Sequence, residues 1–509
     1  MTLSQFGVWS VECEVSYHPK REPAYHCGIS VENLKKIFFG CEDFFLREIK
    51  LGLEKNSLVF VCWIDGLVNE TDVSEDVVRP LTEACRLAAA DSARRAVRLI
   101  EQGAVWRGTV RRRETMDDLA ADLTAGCAAL IFEGLGLALT FEVKSQTGRP
   151  VQEATIEKAV KGPRDAFCET LRVNTALVRR RLRTPKLKLL EQSAGRESNT
   201  RIALLYIEGI AKPSLVEAVQ SRIQAMDLDA VLSAGDLEPY VTDHPRSPLP
   251  QTAHTERPDK LAAALLQGRV GILVDGLPVG FLLPGTLGAL MRAPEDRADV
   301  PLVASGLTLL RWLALLLSLT LPALYVAAAV HHPEMLPTQL LVSMVEAEQE
   351  VPFGAAAVML FLLIAFELLQ EAGLRLPAPV GQTVSIIGAL LVGEAAVSAR
   401  VASPIAIIVV ALAGIAGYNV PNQELASLLR FARLALVIAS ALGGMFALTA
   451  GCAMLVWYAC TIDCFGTAWL HPIVDAERSP IFRVFLRKNQ RDYKLRDENV
   501  VWWNKRRQK

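Results

Sequence analysis

The stretch PFGAAAVMLFLLIAFELLQEAGLRLPAPVGQTVSIIGALLVGEAAVSARVASPIAIIVVALAGIAGYNVP, residues 352–421, is poor in charge but not free of it. It is the centre of an apolar block, 305–457, with four runs: 312–330, 353–369, 384–410 with interruptions, and 434–457. The first and last approach the roughly 20 residues a helix needs to cross a hydrocarbon core. The block therefore predicts an all-α polytopic membrane domain over 301–476, with about four to six membrane segments.

The polar exceptions carry more information than the apolar runs, because a carboxylate at membrane depth costs a few kcal/mol unless it is paired, protonated or wetted. Glu367 and Glu394 are the deepest, and with Glu371 and Arg375 they are the candidates for a pore or gate. Glu394 has no cation in its own segment before Arg400, about 600° of helical rotation away, so an intrahelical salt bridge is poor. It is expected to face a wet pathway shared by several copies of the chain; the competing reading is a protonated Glu hydrogen-bonded between helices. Gly388, Gly393, Arg400 and Pro404 break the pattern over 381–421. That region is either irregular backbone lining a cavity or two marginal spanning helices with a polar tip.

Pro322 should kink the first run. The loop 331–350 has no Lys or Arg and several Glu, which places it on the far side of the membrane. His331 and His332 within it read as an interfacial pair rather than a metal site. In the last run Ala435, Ala439, Gly443, Ala447 and Gly451 recur every four residues, a small-residue stripe that lets another helix approach closely. An interfacial stretch with Trp469 and His471 follows, then a tail, 477–509, whose part from Arg483 holds ten Lys/Arg against three Asp/Glu and should be cytoplasmic. With both ends inside, the crossings must be even in number, whereas the runs count most simply as five. Either 381–421 holds a re-entrant piece or 458–476 crosses back.

The first 300 residues read as a soluble half. A net charge of −1 gives no reason to expect nucleic acid, and no basic and apolar leader opens the chain, so this half is expected in the cytoplasm. Seven of the ten cysteines lie in it without a CxxC pair, as expected of reduced thiols rather than a zinc site. LAADLTAGCAALIFEG (119–134) lies over LAAALLQGRVGILVDG (261–276) at an offset of 142, and VCWIDG (61–66) over LLYIEG (204–209) within one residue of it. Both copies read helix, Gly stop, apolar strand and acid-Gly turn, which predicts a tandem duplication and an α/β half of two related subdomains, 1–145 and 191–300. A basic helical connector, 146–190, would join them. Its run Arg179-Arg180-Arg181 reads as a solvated face or, alternatively, a contact with acidic lipid or a neighbouring subunit. Asp65, Glu133, Glu208 and Asp275 in the acid-Gly turns invite a ligand reading, but backbone geometry alone favours such pairs at strand ends.

At GPRDAF (162–167), LLYIEG, SPLPQ (247–251), TERPD (255–259), GRVGILVDGLP (268–278), LPALYVA (321–327), HHPEMLPT (331–338), VPF (351–353), EAGLRLP (371–377) and VSIIGALLVGEAAV (384–397) the chain resembles the A subunit of the GerA-type spore germinant receptors. The motif positions are Gly162, Pro163, Arg164, Glu208, Gly209, Pro248, Gln251, Glu256, Arg257, Asp275, Gly276 and Pro278. The resemblance implies a cytoplasmic domain on a membrane domain in the spore inner membrane, B and C partner subunits, and A subunits that oligomerise into a nutrient-gated cation pore. No cofactor or metal is implied. The sequence departs from the family pattern at Glu394, where Gln is usual, at Gln370, where Arg is, and at Gly354, where Pro often is. A secondary transporter or a non-conducting scaffold are the alternatives; the former should show an inverted repeat in its spans, and none is found. No nucleophile-base constellation, phosphate loop or HExxH occurs, so an enzyme is not expected.

Overall fold

The computed structural model describes residues 27–49, 59–83, 93–103, 109–145, 161–349, 351–375 and 393–474, with short pieces at 15–16, 24–25, 105, 157, 485–487, 494, 496, 501, 503–504 and 506. Gly388 and the first part of the interrupted run, residues 146–160 apart from 157, and Arg483 lie outside them. The chain divides into two compact units. One comprises Met1–Pro245, His254–Pro284 and Asn489–Lys509, the other Arg246–Ala253 and Gly285–Lys488.

The first unit contains two five-stranded sheets. β1 (Phe44–Ile49), β2 (Val59–Ile64), β3 (Val110–Arg113), β4 (Ala128–Phe132) and β5 (Leu137–Phe141) form one, in the order β1-β2-β4-β5-β3. β6 (Leu187–Ala194), β7 (Thr200–Ile207), β8 (Ala253–Thr255), β9 (Val270–Val274) and β10 (Gly280–Leu283) form the other, in the order β6-β7-β9-β10-β8. The two orders are the same, and Val61–Ile64 and Leu204–Ile207 sit on equivalent strands. The expected duplication is present. Helix α1 (Met116–Thr124) precedes β4 as α3 (Pro258–Leu265) precedes β9. Both stop at a glycine with φ of +91°, Gly126 and Gly268, a conformation that disfavours a side chain. Strands β4 and β9, wholly buried, read as continuous apolar runs for that reason. Pairing within the sheets is antiparallel, so hairpins rather than parallel crossovers join β1 to β2, β4 to β5, β6 to β7 and β9 to β10.

Between the copies lies α2 (Leu171–Arg181), and it joins them. Asp275 accepts the Leu171 N–H at 2.9 Å at its start. Arg172 reaches Asp65 (2.7 Å) at the end of β2 and Glu191 (2.7 Å) on β6. Arg179 donates through Nε and a terminal nitrogen to both oxygens of Asp43, each at 2.7 Å, with both side chains 1% exposed. Arg180 donates to the Ser145 carbonyl and Arg181 pairs with Asp165. The expectation of a solvated or lipid-facing arginine run is therefore corrected: Arg179 and Arg180 fasten α2 to the first copy and Arg181 to the connector, while Arg172 reaches both copies. The carboxylate that buries Arg179 is 136 residues away in the chain, where periodicity does not look. Burial works against the charge of Arg179, and Asp43 together with Cys41 offsets it, leaving the guanidinium above its usual range. The second sheet also starts at Leu187, before the expected boundary at 191.

The second unit is helical: α4 (Pro301–Val330), α5 (Thr338–Gln349), α6 (Ala355–Arg375), α7 (Pro404–Tyr418) and α8 (Gln423–Thr461). Among the described residues α4, α6 and α8 are long and apolar enough to cross a membrane. α4 continues through Pro322 as a single helix. The expected loop 331–350 holds a further helix, α5, which is mostly exposed. Trp469 and His471, expected at an interface, are buried: the Trp469 indole donates to the Pro250 carbonyl (2.7 Å) and its own carbonyl accepts the Leu287 N–H (2.8 Å).

The largest departure from the sequence reading is in α8. Gly443 (φ −136°, ψ 17°) and Gly444 (φ +60°, ψ −142°) leave helical geometry, splitting it into arms 423–442 and 445–461. A Cβ on Gly451 would lie 2.7 Å from the Leu436 side chain. In a straight helix those residues would be about 22 Å apart, so the arms fold back on each other. His331, the C-cap of α4, closes the turn: its Nε2 is 3.0 Å from the Ala441 carbonyl, which can only accept, and Gly444 packs on its ring. The fourth apolar run thus holds a reversal of direction, and the count of five passes omitted it.

The described part of the tail is docked. Arg487 donates to the Ser305 hydroxyl (2.8 Å) and the Asp296 carbonyl, and buried Asp296 also takes a two-pronged contact from Arg311 (2.7 and 2.9 Å). In the first unit Val501 bridges to Ala211, and Asn504 donates to the Gly209 carbonyl (3.0 Å).

Candidate functional site: charges among the apolar helices

Glu367 lies on α6, and its carboxylate meets Arg433 of α8 at 2.7 Å and Arg430 at 3.5 Å. Arg433 is 2% exposed. The sequence reading began the last run at Leu434, one residue past this arginine, and so left Glu367 without a partner. One helical turn on, Gln370 donates to the Tyr418 hydroxyl of α7 (2.9 Å), so Glu367 and Gln370 both bind α6 to its neighbours. Glu371 is exposed, and Arg375 is the last residue of α6. A partly buried carboxylate left without its arginine is destabilising, whereas removal of both charges is less so. Arg433→Met should lower the amount of folded protein in the membrane fraction, by about 1.5–3 kcal/mol for a charge-assisted contact. Glu367→Met together with Arg433→Met should restore part of it on an immunoblot.

Glu394 is not brought to this pair. It sits in the helical residues 393–398 and is exposed on the surface of the single chain. Ala435 and Gly443 of the small-residue stripe are exposed as well, with Ala439, Ala447 and Gly451 half-buried. The face that α8 packs within the chain lies one position over, at Arg433, Leu436, Val437, Ser440, Gly444 and Leu448. There the Ser440 hydroxyl donates to the Ala323 carbonyl of α4 at 2.6 Å.

Among the motif positions of the first unit, the Phe167 N–H donates to the Glu256 carbonyl (2.7 Å), which joins the stretch around Gly162, Pro163 and Arg164 to that around Arg257. Buried Arg257 makes two 3.0 Å contacts with Asp259. Glu208 pairs with buried Lys188 (3.1 Å), and Gly209 and Gly276 have positive φ in their turns. The four turn acids are thus not gathered at one point: Asp65, Glu208 and Asp275 each hold a local structural contact, and Glu133 is exposed. In the second unit the Gln251 carbonyl accepts the Gly285 N–H (2.7 Å), which fixes the loop containing Pro248.

The family model described as Bacillus/Clostridium GerA spore germination protein matches residues 32–499. The chain belongs to the GerA spore germination protein family. Similar proteins include the uncharacterized membrane protein YfkQ of Bacillus subtilis, 35% identical over 90% of this chain and 88% of that protein. Spore germination protein KA of Bacillus subtilis is 34% identical over 89% and 84%, and spore germination protein GerLA of Bacillus cereus 30% identical over 85% and 87%. The crystal structure of the N-terminal domain of the A subunit of the Bacillus megaterium spore germinant receptor GerK3 matches at 29% identity and a TM-score of 0.41, covering 50% of this chain and 92% of that one.

Proposed function

We propose that this GerA-family chain is the A subunit of a nutrient germinant receptor in the spore inner membrane, working with B and C subunits. In this reading several copies of the chain assemble into a cation channel whose opening triggers germination, with the sheet-containing unit and the tail on the cytoplasmic side. The observation that carries the reading is Glu394: an exposed carboxylate on an apolar helical unit, outside the Glu367–Arg433 pair. Left against lipid it would cost several kcal/mol or be neutral, and a ring of such groups around water removes that cost while favouring cations. The exposed Ala435 and Gly443 support the same reading, since they leave a small-residue surface to a neighbouring helix.

Glu394→Gln keeps the shape and removes the charge. Spores carrying it should release potassium at least tenfold more slowly after nutrient addition, at normal subunit abundance on an immunoblot. Unchanged release would refute the pathway role. A non-conducting scaffold is the second reading, and the pairing of Glu367 with Arg433 favours it, because a neutralised carboxylate holds helices together and guides no ion. Under that reading Glu394→Gln leaves release unaltered, whereas Arg433→Met abolishes co-purification of partner subunits.

A further inference from the structure

Tyr325, Glu348, Val351, Phe353, Val358 and Ser403 line an open pocket of about 180 Å³, its mouth included, with room for one particle of water's size. Its wall presents three oxygen-bearing side chains, Tyr325, Glu348 and Ser403, among apolar ones such as Val351, Phe353 and Val358. The Tyr325 hydroxyl donates to Glu348 Oε1 at 3.2 Å. Tyr325 has one proton to give, so across the 3.4 Å contact it is the Ser403 hydroxyl that donates to Tyr325. Ser403 Oγ in turn accepts the Ala406 N–H (3.3 Å) as the N-cap of α7. The arrangement satisfies the two hydroxyls but not the carboxylate. Glu348 is half-buried and, among the described residues, its carboxylate receives one hydrogen bond, while a carboxylate offers about four lone-pair sites. Among the described residues the wall holds no Lys, Arg or His, and its titratable groups are Tyr325 from α4 and Glu348 from α5. Burial raises the Glu348 carboxyl above its ordinary range, with the Tyr325 hydroxyl pulling the other way.

We infer that this cavity binds one monovalent cation, with Glu348 supplying the charge and the Tyr325 and Ser403 hydroxyls supplying neutral oxygens. An all-oxygen set suits hard cations and not soft ones. One carboxylate balances one positive charge; a divalent ion would leave an uncompensated charge against apolar walls. The oxygen spacings of 3.2 and 3.4 Å also fit neighbouring ligands of an ion held at about 2.4 Å from each oxygen. The positive end of α7 is met by Ser403 Oγ before it reaches the cavity. The inference holds whether or not the chain conducts, and its test needs no spores.

The full chain, purified in detergent, is unfolded by heat in sodium, potassium or N-methylglucamine chloride at equal ionic strength and pH. The expected result is a higher midpoint in at least one alkali salt than in N-methylglucamine, a difference lost in Glu348→Gln and reduced in Tyr325→Phe. Equal midpoints in all three salts, or the same salt response in Glu348→Gln, would overturn the assignment. So would a midpoint that follows pH and ignores the cation, since a proton would then be the counter-charge. As a second measurement, equilibrium dialysis of the wild-type chain with thallium(I) should give one site, displaced by alkali ions. No saturable binding overturns the proposal even if the variants fail to fold.

Discussion

Gly444→Ala is expected to abolish the reversal inside α8. The φ of +60° and ψ of −142° at this residue belong to a region that only glycine occupies without strain, and forcing a side chain there costs about 1–3 kcal/mol. The added Cβ would also lie 2.7 Å from the Cβ of His331, which is fixed by its own place at the end of α4, so neither partner can yield cheaply. Gly443, at φ −136°, carries no such backbone penalty, and Gly443→Ala is limited to a 2.8 Å encounter with the Ala447 methyl. The two glycines should therefore differ sharply. A cysteine pair at positions 436 and 451, with Cys452 replaced by Ser, reads the outcome. It should cross-link in the parent chain and in Gly443→Ala, and stay reduced in Gly444→Ala. Cross-linking at the parent rate in Gly444→Ala would show that the turn does not need that glycine.

Arg179→Met should cost about 3–5 kcal/mol, the penalty for leaving a buried charge, here Asp43, without its partner. The pair is as buried as any in the molecule, and Arg179 also donates to the Thr184 carbonyl (3.4 Å), just before β6. The double variant Asp43→Leu, Arg179→Met should be less destabilised than the sum of the single ones, because the uncompensated charge is gone. Hydrogen exchange of the β1 and β6 amides in the full chain separates the cases. Protection should fall in both strands in Arg179→Met and recover in part in the double variant. A loss confined to one sheet would mean that α2 belongs to one copy only.

What the sequence made legible was whatever repeats or persists along it. The duplication showed because two matches at almost one offset preserve helix, Gly stop and strand, and those features recur as α1 with β4 and α3 with β9. The apolar runs marked the helical unit because length and composition are local. What stayed hidden depends on partners far away in the chain. The hairpin in α8 has no polar tip to announce it, since the freed Ala441 carbonyl is met by His331, 110 residues earlier. Gly443 consequently passed for one member of a smooth stripe. Glu367 looked unpaired because Arg433 stands one residue outside the run as it was drawn. The basic run of α2 looked like a surface because Asp43, the carboxylate that buries Arg179, stands 136 residues earlier. Glu394, by contrast, keeps the reading it had, and only its exposure has been added.

The contact between Asp43 and Arg179 spans 136 residues, and that distance sets a schedule during synthesis. A ribosome adding about 5–20 residues per second needs roughly 7–27 s to pass from one residue to the other. For that interval the nascent first copy holds strands ready to pair and an aspartate that cannot be buried. Its sheet cannot gain the Asp43–Arg179 contact until α2, between the two copies, has emerged.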